Sequence, residues 1–180
     1  MELREESPGV YYCNHAVVSV GDRDLAFLLQ EARKNDKHRA RICAHPDVGD
    51  PVHEMVICLL DTCYIRPHLH HKAESLHVLA GTCELVLLDA EGDVVNVLCL
   101  SSELPDAARY VRLAAGTIHT LLVRSEHFTF HETTRGPFDR QDTEFAGWAP
   151  AEAERDAAGS YRELLEVAIV NFAKTRRGAS

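Results

Sequence analysis

Four side chains in this sequence stand at spacings that suit one metal ion. They are His68, His70, Glu74 and His119. Side chains two apart on a strand point to the same face, so His68 and His70 project together. A short turn and a second strand bring Glu74 beside them. Farther on, Gly116 and His119 put a third imidazole at the start of another strand. Three imidazoles and a carboxylate suit one divalent cation: zinc, the first expectation, or manganese, iron, nickel or copper, with one or two coordination positions left open. Histidine is also abundant, with 11 in 180 residues.

The neighbouring polar residues sort by strand parity. His71 is out of phase with His68 and His70 and is expected in solvent. His77 alternates away from Glu74. His131 and Glu132 are consecutive, so only one of them can face inward. Arg39, Arg41 and His45 precede the strand-rich region and are expected at its mouth, where Arg41 can clamp a phosphate or carboxylate through two parallel hydrogen bonds. Arg66 and Tyr64 share the parity of His68 and are expected to reach the same space. The candidate substrate-binding residues are therefore Arg41, His45, Tyr64 and Arg66. No residue is assigned a catalytic role. Lys72 is expected in solvent.

These groups need a scaffold. Leu25, Leu28, Leu29 and Ala32 follow a helical stripe, which predicts a helix over 22–35 with Asp22 as its cap. Residues 39–44 alternate as a strand. From about His53, short apolar runs follow one another at 55–60, 76–79, 83–88, 94–100, 110–113, 119–123 and 127–133, each read as a strand. Gly81-Thr82, the segment Asp89–Asp93 and Ala115-Gly116 are read as the turns between them. Such spacing indicates an all-β sandwich or barrel, and no interrupting helix supports a parallel α/β sheet. Residues 136–150 are expected as an extended loop pinned by Phe138, Phe145 and Trp148. A final helix is expected from a capping box at Ser160 and Glu163, with an apolar stripe of Tyr161, Leu164, Leu165, Ala168 and Phe172. The whole is expected as one domain: a helix-and-strand extension over 1–52, a barrel core over 53–135, and a loop and helix over 136–180.

The formal charge of −9 is spread along the chain. Such a field repels phosphate backbones and anionic lipid, so nucleic acid and membranes are not expected partners. No apolar run approaches the ~18 residues that span a bilayer. The charged N-terminus lacks a signal-peptide pattern, and a cytoplasmic location is expected. The six cysteines fit no zinc-finger template and are expected as free thiols, with Cys58, Cys83 and Cys99 as small core residues.

Residues 68–81 resemble the first cupin motif at each defining position: His68, His70, Glu74 and Gly81. Residues 114–119 resemble the second, with Ala114 in place of proline, and Val123 stands where that motif often has asparagine. More narrowly, the chain resembles the WbuC family of cupin-fold metalloproteins over roughly residues 10–150. Arg41, Cys43 and His45, the run His53–Met55, the run Tyr64–His68, and the run His131–Phe138 carry that likeness. The resemblance implies a double-stranded β-helix (jelly-roll) barrel with flanking helices, a metal held by His68, His70, Glu74 and His119, and an association with bacterial O-antigen and sugar-nucleotide gene clusters. It implies no settled reaction. The expected function is a metal-dependent enzyme, isomerase- or epimerase-like, on a small polar, sugar-derived molecule. A non-enzymatic ligand-binding cupin and an iron(II) oxygenase remain alternatives, and a homodimer is expected.

Overall fold

A computed structural model describes residues 2–178. The chain begins with a hairpin of β1 (Arg4–Ser7) and β2 (Val10–Tyr12), then α1 (Asp22–Lys34) and β3 (Arg39–Cys43). Seven further strands follow: β4 (Val52–Leu60), β5 (His68–His70), β6 (Glu74–Leu88), β7 (Val94–Ser101), β8 (Tyr110–Leu113), β9 (His119–Arg135) and β10 (Thr143–Phe145). The last element is α2 (Arg155–Gly178). The strands form one curled sheet in the order β1-β2-β3-β4-β9-β5-β10, and β6 pairs with β7, β8 and β9. The pair β2–β3 is parallel, and the other ladders are antiparallel.

Two expected strand pairs are single long strands. The runs 76–79 and 83–88 both belong to β6, and the runs 119–123 and 127–133 both belong to β9. Gly81 is no turn between strands. It sits at one of two register shifts where β6 crosses β9, with φ of +80°. A Cβ there would lie 2.1 Å from the His127 carbonyl oxygen, so only glycine fits this close crossing. The irregularity reverses the alternation of both strands. On β6, Leu76 and Val78 face the barrel interior before it, and Cys83 and Leu85 after it. On β9, Leu121 and Val123 face inward before it, and Phe128 and Phe130 after it. The Asp89–Asp93 turn forms as expected, closed by the Asp89 carboxylate accepting from the Asp93 N–H at 2.8 Å.

The sheet buries both faces. Its interior is an apolar core that includes Leu59, Leu76, Leu85, Leu100, Leu121 and Phe128. Outside, α1 covers β3 and β4 by setting Leu28 and Ala32 against Ala40, Ile42, Val56 and Cys58. On the far side α2 sets Leu165 and Ile169 against Val86, Leu88 and Leu122. Full burial of each such leucine or phenylalanine contributes about 1.5–3 kcal/mol. Cys58 and Cys83 are core residues, whereas Cys99 is exposed on the outer face of β7. All six cysteines are free.

The first helix begins where expected but is capped by Gly21 and not by Asp22, and the second begins earlier than its expected capping box. Gly21 caps α1, and Asp24 reaches back to accept from its N–H at 2.9 Å; Asp22 is the first helical residue. α2 begins at Arg155, where Glu154 accepts the Ala151 N–H, so Ser160 lies inside the helix. Its buried side is Ala158, Leu165 and Ile169, and Leu164 is exposed. Among the described residues, no helix is long and apolar enough to cross a membrane.

Candidate metal centre

β5 is three residues long and lies between two strands. His68 pairs with His119 at the start of β9, and β10 flanks the other edge, with Thr143 opposite His70 and Phe145 opposite His68. Glu74 opens β6 opposite Thr134 of β9. The three elements bring His68, His70 and His119 together, with one ring nitrogen of each within 4.8 Å of the others, a grouping able to hold a metal ion. His68 Nε2 stands 3.1 Å from His70 Nε2. The two Glu74 oxygens stand 3.2 Å from His119 Nε2 and 3.5 Å from His70 Nε2.

The outer nitrogens settle which atoms face inward. His68 Nδ1 lies 2.8 Å from the Arg66 carbonyl oxygen, and His119 Nδ1 lies 3.0 Å from the Thr117 carbonyl oxygen. A carbonyl only accepts, so each Nδ1 carries the proton and each Nε2 presents a bare lone pair. His70 Nδ1 is 3.0 Å from the Thr143 hydroxyl, which can accept in the same way. The bare Nε2 atoms of His68 and His70 then confront each other across 3.1 Å, which is unfavourable unless a cation sits between them. The residues present therefore fit a divalent ion.

Burial sets the protonation of this group. It lowers His70 from the usual 6.5 to about 4 and His119 to about 3, with the neighbouring imidazoles adding to the shift. His68 is lowered by burial as well. The Glu74 and Glu132 carboxyls are both raised, chiefly by burial, and Glu132 adds repulsion at Glu74. The histidines are thus neutral and ready as ligands at ordinary pH.

The group lies in a cavity of about 760 Å³. Leu76, Leu121 and Phe130 supply apolar wall, and Arg41, Arg66 and Glu132 supply charge. Of the candidate binding residues, Arg41 and Arg66 line this space. His45 does not. It is buried behind the wall, stacked on His53 with ring centres 4.0 Å apart, and its Nδ1 accepts the Glu54 N–H at 3.1 Å. Tyr64 turns outward, donates to the Pro150 carbonyl at 3.1 Å and packs against Tyr161 of α2. Its parity reading fails because the chain before β5 is not a strand.

Glu132 takes the inward position and His131 the outward one, where it approaches Glu54 at 3.7 Å. Arg39 lines the cavity and is held by Glu152 through two hydrogen bonds of 2.8 and 3.0 Å. His71 and His77 are exposed. Lys72 is drawn to Asp142 and the Pro137 carbonyl instead of standing free in solvent. The segment 136–150 is more than a loop: its β10 carries Thr143, the partner of His70, which no spacing in the sequence pointed to. Trp148 pins this segment, donating to the Ala90 carbonyl at 3.0 Å and packing on Gly92, whereas Phe138 is exposed.

Residues 20–100 match a family model described as a domain of unknown function, DUF6016. No curated protein sequence matches the chain significantly. Among solved structures, the chain is similar to CapF, determined with the inhibitor 3-isopropenyl-tropolone. That match has a TM-score of 0.51 at 18% identity and covers 62% of this chain and 32% of CapF. It is also similar to a cupin superfamily protein of Desulfitobacterium hafniense, with a TM-score of 0.43 at 13% identity over 54% of this chain and 76% of that one. An oxalate decarboxylase of Bacillus subtilis gives 0.48 at 16% identity over 67% of this chain. The chain spans about a third of the decarboxylase and of CapF. At these identities the likeness concerns the fold alone, a cupin-type β-barrel core; the two flanking helices and the three-histidine cluster fit for a metal are read from this chain's own geometry.

Proposed function

We propose that the protein binds one divalent ion through His68, His70, Glu74 and His119 and acts as a metal-dependent isomerase or epimerase on a small polar, sugar-derived molecule. The observation that carries this reading is the meeting of three bare Nε2 atoms and a carboxylate in a cavity large enough for a small ligand. The ion, when bound, would supply Lewis acidity toward a carbonyl or hydroxyl oxygen. The chain's own groups do the rest. Leu76, Leu121 and Phe130 give the reacting atoms an apolar wall. Glu132, half-buried in the cavity wall, takes a proton from the substrate on a carboxylate oxygen and returns it. Thr143 and the Arg66 and Thr117 carbonyls keep the imidazoles oriented throughout. The resemblance to the WbuC family supports a sugar of bacterial surface polysaccharide as the substrate source.

Turnover of a panel of sugar phosphates and nucleotide sugars by the metal-loaded protein tests the reading. Isomer formation by at least one member, lost in Glu132→Gln with metal retained, supports it. A ligand held tightly without turnover would make the protein a binding module instead. Oxygen uptake on loading with iron(II) would make it an oxygenase.

A further inference from the structure

The cavity that holds the histidines is lined by more cations than its carboxylates neutralise in pairs. Lys37 and Arg39 share Glu152, and Lys34 pairs with Glu31. Arg41 and Arg66 differ. Among the described residues, neither forms an ion pair, and the Nε of each is shut off from solvent with no hydrogen-bond partner. Arg41 projects inward from β3, beside Ile57 of β4, with the Cys43 thiol and Glu132 as polar neighbours. Arg66 lies over the Phe145 ring at 5.3 Å and donates one Nη2 to the Ala146 carbonyl at 2.8 Å, which fixes the plane of its guanidinium. A guanidinium N–H shut off from solvent without an acceptor is costly, and this chain supplies carboxylate acceptors for Arg39 next door. Two such groups stand on one cavity in a protein of charge −9, with Glu132 the carboxylate that interacts with Arg41 and no acidic side chain paired with Arg66 among the described residues.

We infer that Arg41 and Arg66 form an oxyanion subsite that takes the phosphate or carboxylate group of a small ligand. The planar fork of each guanidinium matches two oxygens of such a group. The inference deepens the proposed function by making the substrate an anion, and it rests on that reading only for the location of the reacting end. The part of the substrate away from the ion would be held by these two residues, so a neutral sugar would be a poor ligand.

Titration calorimetry of the metal-loaded, full-length protein with inorganic phosphate, and separately with acetate, tests it. Saturable one-to-one binding of either anion is expected, weakened about tenfold or more in Arg41→Gln and in Arg66→Gln. Arg41→Lys and Arg66→Lys should retain part of it, because they keep the charge and lose the fork. Phosphate binding alone would mark a phosphorylated ligand, and acetate binding alone a carboxylate. Elemental analysis of the same samples reads the metal separately. Arginine-dependent anion binding by a protein that takes up no metal would uphold the subsite and defeat the metal-enzyme reading. Glutamine variants that bind as tightly as the wild type, or a wild type that binds neither anion, would overturn the subsite.

Discussion

At the scale of the residue, the site works through what surrounds each ligand. Thr143 does nothing but face His70 Nδ1, yet it fixes the ring whose other nitrogen points at Glu74. Replacing it with valine keeps the shape and removes the hydrogen bond. Metal affinity should fall about tenfold or more, measured by competition with a chelator, with the fold unchanged. The pH dependence of the metal-free protein follows from the shifts. His70 and His119 are depressed below 6.5, so their contribution is complete above that value and lost as pH falls toward about 4 and about 3. Glu74 is raised above 4.5, so its contribution is present below that value and lost as pH rises through the neutral range. Two histidines outweigh one carboxyl below 6.5, so the melting temperature of the metal-free protein should peak near pH 6.5 and fall on both sides. Saturating zinc should remove the alkaline fall, because the ion favours the carboxylate form. A metal-free protein whose melting temperature rises steadily from pH 5 to 9 would contradict this.

At the scale of the element, the site depends on where β6 and β9 break their alternation. Gly81→Ala would drive a Cβ against the His127 carbonyl at a positive φ and should cost about 3 kcal/mol in urea denaturation. An unchanged unfolding midpoint would show that the crossing tolerates a side chain. The same break explains which parts of the site were legible beforehand. His68 and His70 sit in a short regular strand, so parity placed them together. His119 and Glu132 both face the cavity although one is odd and the other even, because the reversal lies between them on β9. Alternation counted along a single run could not choose between His131 and Glu132. Tyr64 and Arg66 precede β5 in irregular chain, so the parity that favoured both was met by only one. β10 escaped notice because three residues amid polar loop carry no periodicity, and its role is set by the edge of β5 that it covers. The first helix starts at Asp22 as expected, with Asp24 rather than Asp22 supplying the capping carboxylate, and the second starts before Ser160 because Glu154 accepts the Ala151 N–H ahead of it.

At the scale of the whole molecule, one curled sheet is covered on two sides by helices, and its interior is divided between an apolar core and a polar cavity. α2 leaves Leu164, Val167 and Val170 exposed. We expect the protein to be a homodimer, with twice the 20.1 kDa of one chain by light scattering, and a mass of one chain at micromolar concentration would refute that. The barrel does not need the ion to fold, since its apolar interior is of ordinary extent for 180 residues. His70→Ala and His119→Ala should therefore stay folded while losing the ion, which makes metal content a clean readout. Elemental analysis after loading and desalting should find one divalent ion per wild-type chain and close to none in either variant. Full occupancy in both variants, or none in the wild type, would contradict a metal site at His68, His70, Glu74 and His119.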